Sequence, residues 1–488
     1  MFESAELGQK VDKDTFKEME PDLRYRLLQA QQRMQSSGIP VIILLSGVEG
    51  SDRSGVVKRL NKWFDPRYLR TYAFWDETDE ERERPQYWRF WRCMPQRGET
   101  TIMFGSWYTR PIIDRVFDRD NDQQLQLALQ HINIHEQMLC HDKHVIIKLW
   151  FHISHKTQLK RLEKKRRFDK SPTAALFKNY AQNYDNFIKV SEQAIKDTDT
   201  AEAPWHIIEA TDKRYRDVTA AKIIIETLEN HLAKMDSQTV ITPSAVVEAP
   251  LKKSILDRTR LSHTLENNDY EKQLARYQKK LAKLVWDAYD QKRSIILLFE
   301  GWDAAGKGGA IRRITSAIDA RLYKVIPVAA PSDEEKAHHY LWRFWRHIPR
   351  SGYLTIYDRS WYGRVLVERV EGFARQDEWQ RAYHEINFFE QQLTERGIIL
   401  CKFWLHISAD EQLRRFKERE QTPWKQHKIT DEDWRNREKW PAYEHAIHDM
   451  VTRNSTDTAP WTVVSANDKL FGRIQVLKTL CKTIEKAL

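Results

Sequence analysis

Apolar residues in the C-terminal half of the chain alternate between helical spacing and short continuous runs. Leu274, Leu281, Leu284 and Ala288 lie on one predicted helix face. Short apolar runs predict buried strands at 294–299, 324–328, 354–357 and 398–406, and helices are predicted between them at 311–320 and 379–396. Strands that alternate with helices predict an α/β fold with a mostly parallel sheet.

The pattern occurs twice. Gly47 pairs with Gly301, and 301 minus 47 gives an offset of 254 that carries residues 41–162 onto the second half. WRFWR at 88–92 then falls on WRFWR at 342–346. Before the glycine, the two IILL runs align one residue out of phase. We interpret the chain as two tandem domains of the same α/β fold, 1–235 and 254–488, joined by a linker at 236–253 that contains prolines and small residues.

The copies differ at charged positions while aromatic and apolar positions persist. Five residues of the second half are replaced by other residue types at the corresponding positions of the first: Asp303 by Glu49, Gly306 by Asp52, Lys307 by Arg53, Asp358 by Phe104 and Arg359 by Gly105. These differences predict an active second domain and a degenerate first domain.

Residues 301–309, GWDAAGKGG, form a GxxxxGK pattern between a predicted strand and a predicted helix, the context that a P-loop requires. Lys307 is expected to reach the transferred phosphoryl group. The loop backbone is expected to bind substrate phosphate at Gly301, Ala304, Ala305, Gly306, Gly308 and Gly309. Gly308 replaces the usual metal-binding Ser or Thr. Asp303 can supply a metal ligand instead, or it can cap its own loop.

Asp358 follows an apolar run, as a Walker-B carboxylate does, and can hold a metal ion. Arg359 and Arg364 flank it, and guanidinium groups suit phosphate oxygens. A surface ion pair between Asp358 and Arg359 is the alternative. In the WRFWR run of the second half the aromatic residues are predicted to be core, which leaves Arg343 and Arg346 as candidate substrate ligands.

Residues 413–439 are dense in cations interleaved with acids, which is typical of a solvated helix face. The same position in P-loop kinases is taken by a mobile lid that closes on the phosphates. Under that interpretation Arg414, Arg415 and Lys417 are candidate substrate ligands.

Composition limits the class of protein only weakly. The chain has 80 Lys and Arg against 70 Asp and Glu, a net charge of +10 and a pI near 9.1, which permits a polyanionic partner but also serves solubility. The four cysteines show no CxxC spacing, the N-terminus lacks an apolar signal region, and no apolar run reaches membrane-spanning length. We therefore expect a cytoplasmic protein with no membrane partner.

The segments GWDAAGKGG, YDRSWYGR and HHYLWRFWRHIP of the second half resemble the signatures of family-2 polyphosphate kinases, which are related in fold to thymidylate kinases. The duplication, with only the second copy intact, resembles the two-domain class of that family.

The resemblance implies transfer of the terminal phosphoryl group of inorganic polyphosphate to a nucleoside monophosphate, chiefly AMP, with Mg²⁺ or Mn²⁺. It implies that Asp303 and Asp358 hold the metal, that Asp303 also positions the acceptor phosphate, that Lys307 binds phosphate, and that Arg359 stabilises the transferred group. It implies a helical lid at about 413–439. Whether the protein forms a homo-oligomer is left open.

Two alternatives share parts of this pattern. An ATP-dependent nucleoside monophosphate kinase of thymidylate-kinase type would have the same P-loop, Asp-Arg pair and lid. A non-catalytic polyanion-binding protein, with binding that weakens as salt rises, is the alternative from another class. Nucleic acid is not the expected partner.

Overall fold

The computed structural model describes residues 1–166, 179–237 and 254–488. It contains two sheets of five strands. The strands of the first half are β1 Val41–Gly47, β2 Leu69–Ala73, β3 Thr100–Phe104, β4 Val145–His152 and β5 Trp205–Glu209. Those of the second half are β6 Ile295–Gly301, β7 Tyr323–Pro327, β8 Leu354–Asp358, β9 Ile399–His406 and β10 Trp461–Ser465.

Helices flank both sheets. Those of the first half with eight or more residues are α1 Lys13–Ser36, α2 Arg53–Trp63, α3 Thr109–Val116, α4 Asp122–His141, α5 His155–Arg166, α6 Tyr184–Thr198 and α7 Lys213–Ser237. Those of the second half are α8 Asn267–Asp290, α9 Lys307–Thr315, α10 Gln376–Glu395, α11 Ala409–Gln421, α12 Asp431–Glu438, α13 Trp440–Asn454 and α14 Lys469–Ala487.

The two sheets have the same topology. The first has the order β2-β3-β1-β4-β5 and the second the order β7-β8-β6-β9-β10, and every strand pair is parallel. The central strand of each sheet is a continuous apolar run, as parallel strands covered on both faces require. The predicted α/β class with parallel sheets is confirmed.

Strand register corrects the alignment of the two copies. Val41 lies opposite Val145, and Ile295 lies opposite Ile399. Because 41 plus 254 is 295 and 145 plus 254 is 399, the central strands are in phase along their whole length, and the predicted one-residue slip before the glycine is wrong. The repeated letters IILL created it, since side chains in a buried strand can exchange Ile, Leu and Val with little cost. In the correct register Ser46 faces Glu300.

Element ends differ from the sequence prediction mainly at one helix. Helix α9 runs from Lys307 to Thr315 rather than over 311–320. It begins at the loop because Gly306, with φ 112°, supplies the turn. Beyond its end, the Asp319 carboxylate accepts a hydrogen bond from the Arg321 N–H at 2.9 Å, and such local turns compete with helix continuation. Strand β10 and helices α13 and α14 are additional to the predicted elements.

The chain divides into two compact units that do not follow the halves completely. The first unit lacks Asp79–Trp88 and includes Asp333–His339, whereas the second includes Asp79–Trp88 and lacks Asp333–His339. Since 79 plus 254 is 333, the two segments hold the same place in the repeat. Within the second unit the Glu83 carboxylate binds Arg350 and the Arg84 Nε donates to the Ile348 carbonyl. The domain bounds stay a prediction, and residues 238–253 of the predicted linker at 236–253 lie outside the described residues.

A buried ion pair lies beneath each sheet at the same place. Lys402 of β9 donates to the Glu390 carboxylate at 2.6 Å, and Lys148 of β4 donates to Glu136 at 2.8 Å. Both lysines are fully buried. Within the described ranges, no helix has the length and apolarity that crossing a membrane requires.

We expect Lys402→Met to lower the free energy of unfolding by about 3–5 kcal/mol, because it leaves the Glu390 charge buried without its partner. Adding Glu390→Gln should recover part of the loss, since no lone charge is then buried. Urea unfolding followed by circular dichroism measures both. Lys148→Met is the matched variant in the first half and should cost a similar amount; a Lys402→Met protein as stable as the wild type would contradict this account.

Candidate functional site

The loop after β6 has the geometry of a phosphate-binding loop. Gly301 has φ 151°, and a Cβ at this position would lie 2.6 Å from the Leu405 carbonyl oxygen. Ala304 and Gly306 also have positive φ, 63° and 112°. Successive N–H groups in such turns point inward and form an anion-binding concavity at the start of α9. Lys307 Nζ donates to the Gly301 carbonyl at 2.7 Å, so its ammonium group lies within the loop.

Arg415 holds this loop from behind. Its guanidinium donates to the carbonyls of Ala304 and Ala305 at 2.9 and 3.0 Å, and to those of Ala466 and Asn467 at 2.6 and 2.9 Å. The side chain is 2% exposed. Its donors are used by the backbone and by Glu411, so the expectation that Arg415 binds substrate is corrected: it is a support of the P-loop.

The first half has the same support, which sequence comparison had not revealed. Arg161 lies at the position of Arg415, since 161 plus 254 is 415, and donates to the carbonyls of Gly50, Ala210 and Thr211. This arginine therefore belongs to the scaffold that both copies retain.

Asp303 lies within the loop and contacts the predicted lid region at 413–439. Its Oδ1 is 3.5 Å from Arg359 Nη2, and its Oδ2 accepts a hydrogen bond from Asn436 Nδ2 at 3.0 Å. Its backbone carbonyl accepts from Gln412 Nε2 at 3.2 Å. The carboxylate is thus turned toward other elements of the site rather than used as a cap of its own loop.

Arg359 has a strained backbone. It follows β8 with φ 67°, a left-handed conformation that is uncommon for residues other than glycine, and its N–H donates to the Phe299 carbonyl at 3.0 Å. Its counterpart Gly105 has φ 82°. Such strain is often found at functional sites. Asp358, the last residue of β8, pairs with Phe299 of β6.

Asp303, Lys307 and Arg359 border a cavity of about 630 Å³, a volume that includes the solvent at its open mouth. Asp358 is not among the residues that line it. Charged groups form one part of its wall and apolar groups the other, a combination typical of ligand sites. The charged and polar lining residues are Glu300, Asp303, Lys307, Arg359, Gln412, Glu432 and Asn436. The others are Gly301, Trp302, Gly363, Leu366, Val367, Trp404 and Tyr443.

Aromatic packing shapes the apolar wall. The indole of Trp302 stacks on that of Trp440 with ring centroids 3.6 Å apart and planes at 7°, and its Nε1 donates to His406 Nδ1. Burial lowers the pKa of His406 to about 4, so the ring is neutral and can accept this hydrogen bond at neutral pH. Neither tryptophan was singled out from the sequence.

Glu300 is a further carboxylate that sequence reasoning missed. It is 6% exposed, and its Oε1 accepts a hydrogen bond from Ser360 Oγ at 2.8 Å. Burial raises its pKa to about 7, although that hydrogen bond and the nearby Lys307 and Arg359 cations oppose the shift. The contrast between Glu300 and Ser46 was the available signal, and the out-of-phase alignment concealed it.

Other predicted ligands lie away from this cavity. Arg343 Nη2 donates to the Ala329 carbonyl, Arg346 lies over the Trp342 ring, and Arg364 pairs with Glu368. None of the three is among the residues that line the cavity. The three aromatic residues of the run are buried, as expected for core: Trp342, Phe344 and Trp345. A role of the three arginines in binding substrate stays a prediction.

The predicted lid region is formed by α11, a 3₁₀ helix at Pro423–Lys428 and α12. Several of its cations bind nearby carboxylates. Arg414 makes two hydrogen bonds to Glu411, whereas Lys417 is exposed. Arg435 and Lys439 pair with Glu371 at 3.2 and 2.8 Å. The cation density thus serves partly to hold the segment in place.

The first half closes the corresponding position with its own side chains. Arg53, at the position of Lys307, donates to Glu49 at 2.8 Å, and its guanidinium carbon lies 5.4 Å from the Phe104 ring centroid. Asp52 pairs with the buried Arg216 at 2.9 Å. The cation that would meet a phosphate is therefore neutralised within the loop.

The site combines a parallel sheet of this order, a glycine-rich loop with Lys307 and an Asp-Arg pair at the neighbouring strand end, which is the arrangement typical of P-loop phosphotransferases. The polyphosphate kinase 2 family model matches residues 10–236 and 264–488. The chain belongs to this family, and it contains two fused copies of the family's domain. Membership of this kinase family implies dependence on a divalent metal.

The relatives extend over the whole chain. The polyphosphate:AMP phosphotransferase of Pseudomonas aeruginosa is 46% identical over 100% of this chain and 99% of its own. That of Acinetobacter johnsonii is 36% identical over 96% of each chain. The crystal structure of a putative polyphosphate kinase 2 from Pseudomonas aeruginosa has a TM-score of 0.89 at 45% identity and covers 100% of this chain and 99% of its own.

We expect Glu300→Gln to stabilise the protein at alkaline pH. Folded Glu300 keeps its proton up to a pKa of about 7, whereas the ordinary pKa of a glutamate is 4.5. Between these values the folded state binds more protons than the unfolded state, so stability falls as the pH rises. The variant should exceed the wild type by on the order of 1–3 kcal/mol at pH 8, with a smaller difference near pH 5.

Urea unfolding in metal-free buffer at several pH values measures the Glu300 effect. Glu438→Gln, at an exposed position of α12, is the control and should not change the pH dependence. Parallel pH profiles for Glu300→Gln and the wild type would contradict the buried, protonated carboxyl.

Proposed function

We propose that this protein transfers the terminal phosphoryl group of inorganic polyphosphate to AMP, which yields ADP, and that the second half carries the reaction. The observation that supports this most is the contrast at one loop. Lys307, Asp303 and Arg359 border an open cavity, whereas Arg53 and Glu49 neutralise each other at the same place in the first half. The names of the full-length relatives support the two substrates.

The reaction needs alignment and neutralisation of charge more than covalent help. An oxygen of the AMP phosphate attacks the terminal phosphorus of polyphosphate, and the bond to the bridging oxygen breaks, so the shortened chain leaves with that oxygen. The N–H groups of the loop and Lys307 hold phosphate oxygens, and Arg359 adds a guanidinium where negative charge is spread. The apolar wall around Trp302 and Trp404 suits the acceptor's purine base, and lid closure limits access of water.

The residues present fit Mg²⁺. Asp303 and Asp358 offer the hard carboxylate oxygens that Mg²⁺ prefers. A site with few protein ligands suits Mg²⁺, which keeps waters and binds substrate phosphates. When bound, the ion neutralises phosphate charge. We also propose a cytoplasmic location, which is supported by four cysteines that form no disulfide.

We expect Lys307→Ala and Asp358→Asn each to lower kcat by roughly 10²–10³-fold, because each removes one charged contact to the transferred group or its metal. ADP formation from AMP and polyphosphate, separated by chromatography with no ATP present, measures the loss. Arg53→Ala is the matched control at the same place in the first half and should leave kcat unchanged. Near-normal turnover of either second-half variant, with wild-type melting behaviour in all three, would remove the site assignment.

We expect salt to raise KM for long-chain polyphosphate several-fold more than KM for AMP. A polyphosphate strand presents many charges in a row, and its binding releases counterions, whereas AMP carries one phosphate and a base. Initial rates at increasing KCl, with one substrate varied at a time, give both constants. The same assay with ATP as donor should show little turnover. Efficient use of ATP, with no use of polyphosphate, would assign the chain to the ATP-dependent nucleoside monophosphate kinases.

A further inference from the structure

Asn436 joins the lid to the phosphate-binding loop. It lies on α12, and its Nδ2 donates to Asp303 Oδ2 at 3.0 Å. The residue is partly buried and lines the cavity. A side chain of the lid thus contacts the carboxylate that the loop offers to the substrates.

The orientation of the Asn436 amide follows from its second partner. Tyr443 OH donates to Asn436 Oδ1 at 3.1 Å, the shorter of its two contacts, since Glu371 Oε1 lies 3.5 Å from the same hydroxyl. Burial keeps the pKa of this phenol above its usual range, so its proton is present at neutral pH. The amide oxygen therefore faces the hydroxyl and the amide nitrogen faces Asp303. The reverse orientation would place two acceptors against each other at the carboxylate.

The helix that carries Asn436 is held at several points. Arg435 and Lys439 pair with Glu371, which is 5% exposed. Arg437 Nη1 donates to the Ala409 carbonyl at 2.6 Å and to Gln412 Oε1 at 3.1 Å. Gln412 also donates to the Asp303 carbonyl. The backbone and the side chain of Asp303 are therefore both tied to elements of the lid region.

We propose that Asn436 is a positioning residue that fixes the Asp303 carboxylate when the lid closes. One oxygen of Asp303 is held by Asn436, and the other lies toward Arg359. Asp303 is thus oriented for the reactants only while α12 covers the loop, which couples closure to competence for transfer. The inference rests on the proposed function for its kinetic readout, and the other readout is independent of it.

Asn436→Asp is the decisive variant, because it keeps the shape of the side chain and replaces the donor by a second carboxylate. We expect kcat to fall at least tenfold, with KM for AMP and for polyphosphate within about threefold of the wild type, and the half-saturating Mg²⁺ concentration to rise. Asn436→Ala should lose less, and Tyr443→Phe, which frees the amide to turn, should change kcat in the same direction. Gln421→Glu adds the same charge at an exposed position of α11 and serves as the control.

Hydrogen exchange of the full-length protein without substrates supplies the independent readout. Peptides that cover Asp431–Glu438 should exchange faster in Asn436→Asp than in Gln421→Glu and the wild type. A variant with unchanged exchange, kcat and Mg²⁺ requirement would overturn the inference. Equal rises in both KM values without a change in kcat would also overturn it, since they indicate a role in binding alone. A wild-type protein inactive with AMP and polyphosphate would refute the proposed function, while the exchange result would still test the contact.

Discussion

The geometry of the candidate site depends on a buried lysine behind it. Lys402 Nζ has three partners: Glu390, the Tyr362 hydroxyl and the Asn454 carbonyl. Glu390 in turn accepts hydrogen bonds from Trp361 Nε1 and Tyr362 OH. The segment after Arg359 is thereby fixed to the sheet by charge-assisted bonds away from water. An unpaired charge there would be costly, so the network restricts the backbone conformations available at the end of β8. Asp358 and Arg359 are held in position as a result.

The first half preserves this network around Lys148 and Glu136, and it preserves the arginine that supports the loop. Three of the charged residues that differ between the halves, Asp303, Lys307 and Arg359, line the cavity in the second half. The duplication therefore separates the residues that build the fold from those that carry the chemistry. Arg161 and Arg415 illustrate the value of this comparison. Arg415 is a cation near the glycine-rich loop of the second half, and Arg161 makes the same kind of contacts in the first half, where side chains close the loop. Both arginines are therefore assigned to the scaffold.

Much of the fold was predictable because buried parallel strands are long apolar runs that few other structures share. The sequence also placed the glycine-rich loop after β6 and the aspartate at the end of β8, where the structure has them, because glycines and a charge that follow an apolar run mark a strand end. Asn436, Glu300 and the partners of the lid cations were not predictable. A long charged side chain selects among several partners in space, and its sequence neighbours do not determine which, as Lys439 with Glu371 shows. The repeated IILL run led to an alignment that was one residue out of phase, because apolar residues in a buried strand are nearly interchangeable.

The left-handed turn after β3 and β8 has a consequence for the history of the two copies. Holding a residue with a side chain in that conformation costs on the order of 1 kcal/mol. The second half bears this cost at Arg359, whereas the first half avoids it because Gly105 has no side chain. A copy released from catalysis gains stability by accepting glycine there. Returning to arginine would restore the strain before any activity compensated for it, because Glu49, Arg53 and Phe104 would still close the loop. Glycine at this turn thus favours the folded first half, and a single change back to arginine would bring the strain without opening the loop.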